Sequence, residues 1–257
     1  MSHRENGSRP AWSKIRGFAS QTVKGAFHRA GLDAQWLGNS PRHNALGMRT
    51  MGIRTVIDVG ANTGQFAHYI RSILPDATIL CFEPLPGPFA ELRAWADREG
   101  SGRIHAFNLA LGEHAATAEM FEHVDHSPSS SILPSTAVSH TLYPQTRHHE
   151  SVAIQMDSLD EFLMRSEITL VPEVLIKLDV QGYEDRVIRG GLSTFAAARV
   201  CITEIDFDSL YDGQCSFRDV WALLDRSGFQ FRGNLDQTYA PDGHAVFADS
   251  VFVRDTE

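Results

Sequence analysis

The chain has 257 residues, 42% of them hydrophobic, and a formal net charge of −9 at pH 7, which suits one globular domain with a sizeable core. The acidic balance argues against general nucleic-acid binding, which depends on a basic surface, and against an electrostatic hold on anionic membrane. No apolar run is long enough for a signal peptide or a membrane span, and three cysteines without a close pair (Cys81, Cys201, Cys215) indicate a reducing, cytoplasmic setting.

Residues 1–10 are polar, contain Gly7 and Pro10, and read as disordered. Over 11–37 the spacing of Trp12, Ile15, Phe18, Val23, Phe27, Leu32 and Trp36 predicts one or two amphipathic helices. We take 1–50 as an N-terminal helical extension and 51–257 as the main domain. Lys14, Arg16, Lys24 and Arg29 make the extension basic, and a solvated face explains this better than an anionic partner does.

The main domain is organised around the stretch 54–64. The apolar, β-branched run Val56-Ile57-Asp58-Val59 predicts a strand that stops at Gly60. After Gly64, the residues Phe66, Ala67, Ile70, Ile73 and Leu74 recur at helical spacing. Asn62 or Thr63 is placed to cap that helix. The pattern is D-x-G-x-x-x-G rather than the G-x-G-x-x-G that puts a diphosphate on a helix end. An acid beside the turn repels a diphosphate and suits a cation, and S-adenosylmethionine carries an ammonium and a sulfonium. The next strand, 78–82, ends at Glu83-Pro84. Glu83 lies 23 residues after Gly60, where an α/β nucleotide fold places its ribose-binding acid.

A helix follows Pro84–Pro88 to about Arg98, and a third strand is predicted over 103–108, ending in Asn108-Leu109-Ala110-Leu111-Gly112. The stretch 113–156 breaks the alternation. Ala118–Phe121 and Ser151–Ile154 look like short strands, with a polar, Ser- and His-rich run between them that includes His126 and Ser129-Ser130-Ser131. So long an insertion is more often functional than decorative, and we expect it to carry acceptor specificity as a mobile lid. Its histidines lack the spacing of a zinc site. Asp157 is expected to open a short helix through Leu163. Val174–Asp179 is an apolar strand ending in an acid, Val180–Tyr183 a turn, and Glu184 the start of a helix that ends at Gly190-Gly191. A strand over 199–205, a helix over 216–227, and an antiparallel pair at Phe229–Phe231 and Ala248–Val253 complete the chain.

Five motifs, in order over about 53–205, resemble the FkbM family of S-adenosylmethionine-dependent methyltransferases. They are Val56–Gly64, Phe82-Glu83-Pro84, Asn108–Gly112, Ser129-Ser130-Ser131, and Ile176-Lys177-Leu178-Asp179-Val180-Gln181-Gly182-Tyr183-Glu184. Family members usually read K-I-D-V-E-G-Y-E over the last of these, so Gln181 stands where a glutamate is usual. The resemblance implies an α/β fold: a seven-stranded, Rossmann-like mixed sheet with helices on both faces. It also implies methyl transfer to oxygen, on a hydroxyl of a sugar, a glycolipid or a polyketide.

Methyl transfer to an alcohol needs alignment of the acceptor oxygen and a base to take its proton. We expect Asp58, Gly60, Ala61, Asn62, Thr63 and Gly64 along the donor, Glu83 on its ribose beside Pro84, and Asn108, Leu109 and Ala110 at its adenine. Asp179 is the expected base, with Glu204 and Glu184 as further catalytic carboxylates. His126, Ser129, Ser130 and Ser131 are expected on the acceptor. Each has a structural alternative: Asp58 as a cap of its turn, Asn108 as a tie within its loop, Asp179 as an anchor of the following helix. A divalent metal bridging Asp179, Glu204 and the acceptor oxygen is the less favoured mechanism. A non-catalytic donor-binding scaffold and a nicotinamide-dependent oxidoreductase are the competing functions.

Overall fold

A computed structural model describes residues 40–255, together with Phe27 and Arg29. The chain divides into two compact units, Met1–Asn44 and Ala45–Glu257. The disordered tail and amphipathic helices expected over 1–37 lie outside the described residues, save that Phe27 and Arg29 are helical and exposed.

The second unit is built on a seven-stranded sheet. Its strands are β1 (Thr55–Val59), β2 (Thr78–Phe82), β3 (Ile104–Phe107), β7 (Val174–Leu178), β8 (Val200–Asp206), β9 (Gln230–Tyr239) and β10 (Ala245–Val253). They lie in the order β3-β2-β1-β7-β8-β10-β9. The first five are parallel, and β10 runs antiparallel between β8 and β9. This is the Rossmann-like mixed sheet that the motifs imply. Every residue of β1 and β7 is buried, as befits central parallel strands covered on both faces. The strand order reverses between β1 and β7, so a crevice forms at their carboxyl ends, the usual ligand site of such sheets.

Helices cover both faces. On one, α1 (Gln65–Ile73) and α2 (Pro86–Glu99) bring Ala67, Ile70, Leu92 and Trp95 against Val56, Ile79, Leu175 and Ile202. A short helix, α3 (Ala137–Leu142), belongs to the insertion. On the opposite face α4 (Leu159–Ser166), α5 (Glu184–Gly190), α6 (Leu192–Ala197) and α7 (Phe217–Arg226) bring Leu159, Val187, Phe195 and Leu224 against Ile57, Leu80, Ile176 and Phe252. Each such side chain contributes about 1.5–3 kcal/mol when removed from water, so these two layers hold the strand ends in place. α7 starts on a reciprocal cap: Ser216 accepts from the Asp219 N–H, and Asp219 accepts from the Ser216 N–H.

Several elements differ from the sequence reading. Residues 108–112 are not a plain loop: Ala110–Gly112 form β4, which joins β5 (Ala116–His123) and β6 (His149–Ser158) in a second sheet of order β4-β6-β5. The two short strands expected here are longer because one face of this sheet packs on its own small core of Ala110, Ile154 and Met156. Asp157 does not open a helix. It lies within β6, buried and paired with Arg165, and Ser158 caps α4 by accepting from the Glu161 N–H. The final antiparallel pair runs well beyond the expected ends, and α6 follows Gly191, where the reading placed only a helix end. Cys81 and Cys201 are buried, Cys215 is half-buried, and all three are free thiols. Among the described residues no helix is long and apolar enough to cross a membrane.

Candidate active site

The turn after β1 is closed on itself. The Gly60 and Ala61 N–H groups both donate to Phe82 O (3.0 Å each), Asn62 N–H to Glu83 Oε2 (2.8 Å), Thr63 N–H to Asn62 Oδ1 (2.9 Å), and Gly64 N–H to Ala61 O (2.8 Å). None of these five points out as a free anion ligand, so the turn is not a phosphate nest. Neither Asn62 nor Thr63 caps α1. The cap position is Gly64, without a side-chain bond, because the Asn62 oxygen is turned onto the Thr63 N–H next to it. Gly60, at φ 76°, is demanded by packing: a Cβ there would lie 1.8 Å from the Asp179 carbonyl oxygen. The glycine therefore lets β1 and β7 converge, a packing role that the sequence reading, which had it along the donor, did not foresee.

Asp58 sits beneath this turn, fully buried, between Cys81 and Lys177 in strand register. Neither of its carboxylate oxygens makes a close hydrogen bond, although the Ala67 N–H of α1 lies near enough to favour its charged form. Burial pushes its pKa up to about 7, although the Lys177 ammonium works in the other direction. Lys177 is itself buried. Burial opposes its charge, but the Asp179 and Asp58 carboxylates more than offset this and its pKa is raised.

Glu83 is nearly buried at the end of β2, and each of its oxygens takes a backbone N–H: Oε2 from Asn62 and Oε1 from Leu85 (2.7 Å). Burial raises its pKa to about 7 against these two bonds. Each oxygen keeps a further lone pair. Pro84 and Asn108 are tied together: Asn108 Nδ2 donates to Glu83 O (3.0 Å) and Pro84 O (2.8 Å), which leaves its Oδ1 as the free acceptor. Leu109 packs against the core under α4–α7, and Ala110 belongs to the small sheet.

At the ends of β7 and β8 three predicted carboxylates fall close together. Asp179 Oδ2 accepts from Lys177 Nζ at 2.6 Å, and its Oδ1 accepts from Gln181 Nε2 at 2.7 Å. The same Gln181 nitrogen donates to Glu204 Oε1 at 2.6 Å. Burial raises the Glu204 pKa, and the Asp179, Asp206 and Asp249 carboxylates add to this. Glu184 is different. Its Oε1 accepts from the Val180 N–H (3.1 Å) and the Gly182 N–H (3.3 Å), and its Oε2 faces Cys215 Sγ (3.3 Å). It braces the turn from behind. Beyond β8 a cavity of about 340 Å³ is lined by Asp206, Phe207, Gln214, Phe217 and their neighbours. One oxygen of Asp206, Oδ1, is buried there without a partner, and burial followed by the Glu184 and Asp179 charges raises its pKa to about 8.

The insertion is not the open polar loop its composition predicts. Ser130 Oγ accepts from the His123 N–H, while Ser131 Oγ donates to Gln181 O (2.7 Å) and accepts from the Leu133 N–H. These two hydroxyls are buried, one bracing the insertion and the other tying it to the turn after β7. Ser129 Oγ meets His126 Nδ1 at 2.9 Å near the surface. Ser127 receives a bond from Asn62 Nδ2 (3.0 Å), so the insertion reaches the glycine turn. Among the described residues no group of three or more His, Cys, Asp or Glu side chains is arranged to hold a metal ion.

The sequence reading missed Lys177 and Tyr211 as members of this cluster. Lys177 was visible as a charge inside an apolar strand. Tyr211 had no local signal, because its role comes only from contacts with Gln181 and Ser129.

Comparison with known proteins shows the family. The chain is 30% identical over 179 residues to the 2-O-methyltransferase NoeI of Sinorhizobium fredii (strain NBRC 101917 / NGR234), covering 66% of this chain and 70% of that protein. It is 27% identical over 204 residues to the 31-O-demethyl-FK506 methyltransferase FkbM of Streptomyces tacrolimicus, covering 72% and 76%. The crystal structure of methyltransferase FkbM from Methylobacillus flagellatus KT aligns with 78% of this chain and 43% of its own, at 12% identity and a TM-score of 0.49. The family described as Methyltransferase FkbM domain matches residues 58–231, and the chain belongs to that family of methyltransferases.

Proposed function

We propose that the chain is an S-adenosylmethionine-dependent O-methyltransferase acting on a hydroxyl of a sugar, glycolipid or polyketide-type natural product. The observation that carries the donor reading is the glycine turn. Its N–H groups from Gly60 to Gly64 are all engaged within the protein, and beneath it lies the buried Asp58, whose oxygens make no close hydrogen bond. Such a site is poor for the diphosphate of a nicotinamide dinucleotide and suits a donor with positive centres and no phosphate. When bound, S-adenosylmethionine supplies a methyl group already activated on a sulfonium.

The protein's own part is to hold and deprotonate the acceptor. Glu83 has lone pairs left for two ribose hydroxyls, and Asn108 Oδ1 remains for an adenine amino group. Asp179 is fixed by Lys177 and Gln181 at the carboxyl edge, and it can accept the acceptor's hydroxyl proton. The cavity past β8 is of a size for one small ring system, with Phe207 and Phe217 as apolar walls and Asp206 and Gln214 as polar contacts. The names of the two O-methyltransferase relatives support oxygen as the accepting atom. Calorimetric titration with S-adenosylmethionine and with NAD, followed by a labelled-methyl assay on methyl glycosides and macrolide alcohols, tests the reading. Binding of NAD without S-adenosylmethionine would overturn the donor assignment. Donor binding without transfer to any acceptor would favour the scaffold.

A further inference from the structure

Gln181 stands at the centre of the carboxylate cluster and is held there against its own backbone preference. Its φ is 56°, a left-handed conformation that residues other than glycine and asparagine seldom adopt. Strain of this kind persists only where the surroundings over-determine it. Those surroundings are specific. Ser131 Oγ donates to the Gln181 carbonyl (2.7 Å), and the Tyr211 hydroxyl donates to its Oε1. Its Nε2 carries two hydrogens, and each has one acceptor: Asp179 Oδ1 at 2.7 Å and Glu204 Oε1 at 2.6 Å. Two carboxyl groups on one side and a hydroxyl donor on the other leave one orientation of the amide that satisfies all of them.

We propose that Gln181 is a positioning residue: its side-chain amide fixes Asp179 and Glu204 as one unit and ties their placement to the seat of the 113–156 insertion. The Tyr211 hydroxyl also lies 2.9 Å from Ser129 O, so its one hydrogen is shared between Gln181 Oε1 and the insertion. A glutamate in this position would add a third carboxylate and remove both hydrogens, so the cluster would have to recruit protons to stay together. The amide supplies its two hydrogens at every pH. Around it stand Lys177 on β7, Asp179 just past its end, Glu184 on α5, Glu204 and Asp206 on β8, Asp249 on β10 and Tyr211 in the loop after β8. Gln181 thus links a neutral, permanent donor to a crowded acidic group. Its catalytic meaning rests on the reading of Asp179 as the base.

The test uses Gln181→Met, of similar length but with no hydrogen bond to give, and Gln181→Glu. Carboxyl ¹³C resonances of the full chain are titrated by NMR without any acceptor, with Asp179→Asn and Glu204→Gln used for assignment. Methyl transfer to a panel of methyl glycosides is then followed against pH. Q181M is expected to move the titration of the Glu204 resonance by about one pH unit or more, and Q181E to add a further group that titrates together with it. Turnover of Q181M should fall about 10–100-fold with little change in KM, and the acid limb of the Q181E profile should move to higher pH. Backbone amides of Ser129–Ser131 should exchange faster in Q181M. Unchanged carboxyl titrations in both variants would overturn the proposal, even if Asp179→Asn abolishes transfer. Shifted titrations without transfer to any glycoside would leave the positioning role standing and count against the acceptor reading instead. If Q181M fails to fold, the titration of Q181E and of Tyr211→Phe decides the matter.

Discussion

Substitution of Gly60 by alanine tests whether the turn is shaped by packing between strands. Gly60 has φ 76°, and an added Cβ would sit 1.8 Å from the Asp179 carbonyl oxygen and 2.8 Å from its carbonyl carbon. Ordinary contact begins near 3.4 Å, so the β7 turn would have to retreat by more than about 1 Å, in a layer packed as densely as a crystal. The left-handed backbone alone costs an alanine about 1 kcal/mol. Displacing the backbone of two central strands adds strain of about 2–4 kcal/mol, the range of severe core substitutions. Gly52 provides the control, because it has φ 69° and nothing within 4 Å of its missing Cβ. Urea denaturation should show Gly60→Ala destabilised by about 3–5 kcal/mol and Gly52→Ala by about 1 kcal/mol. The folded fraction of Gly60→Ala should also transfer methyl poorly, since the retreat carries Asp179 with it. Equal stability losses in the two variants would refute the packing argument. Loss of donor binding at unchanged stability would return Gly60 to a role in contacting the ligand.

Three further outcomes are expected. Asp179→Asn should lower turnover by about 10²–10⁴-fold with donor affinity little changed, as for a lost general base; a proportional loss of donor affinity would make Asp179 a binding residue instead. Glu83→Gln puts an N–H donor against either the Asn62 or the Leu85 N–H, so stability should drop by about 1–3 kcal/mol and S-adenosylmethionine affinity by a similar amount; a folded variant that binds the donor normally would remove Glu83 from the ribose. Asp58 holds its proton in the folded state up to about pH 7 but releases it near 4 when unfolded, so its contribution to stability is full at low pH and is lost as pH rises from about 4 to 7. Asp58→Asn should therefore flatten the stability profile between about pH 5 and 8 by up to about 3 kcal/mol, measured by urea melts at the two ends. Binding of a cationic donor near pH 7 should also release protons in wild type and not in this variant, as seen by calorimetry in buffers of different ionisation enthalpy.

Much of the scaffold is dictated by local sequence. The runs 55–59, 78–82, 174–178 and 200–206 are apolar and β-branched enough to form buried strands wherever they find partners, and the spacing in 65–73 and 217–226 leaves a single face to bury. The acids at or near strand ends, Asp58, Glu83, Asp179 and Glu204, could be named in advance because a charge in or just after an apolar run stands out, although Asp58 and Glu204 lie inside β1 and β8. What each acid bonds to was set by how the turn after β7 folds. Glu184 resembles Asp179 in sequence, yet it faces the backbone of its own turn, whereas Asp179 meets Lys177 and Gln181. The hydroxyls of Ser130 and Ser131 face inward because the insertion closes into a three-stranded sheet, and that sheet depends on β4, whose three residues carry no signal apart from their partner β6. Gly60 was legible as a turn, but its collision partner lies 119 positions away in sequence. Local patterns set which segments form strands and helices, since those depend on near neighbours. The burial of Asp58 and the hydrogen-bond partners of Gln181 and Tyr211 depend on which strand ends the tertiary fold brings within about 3 Å, the reach of a hydrogen bond, and only the folded structure decides that.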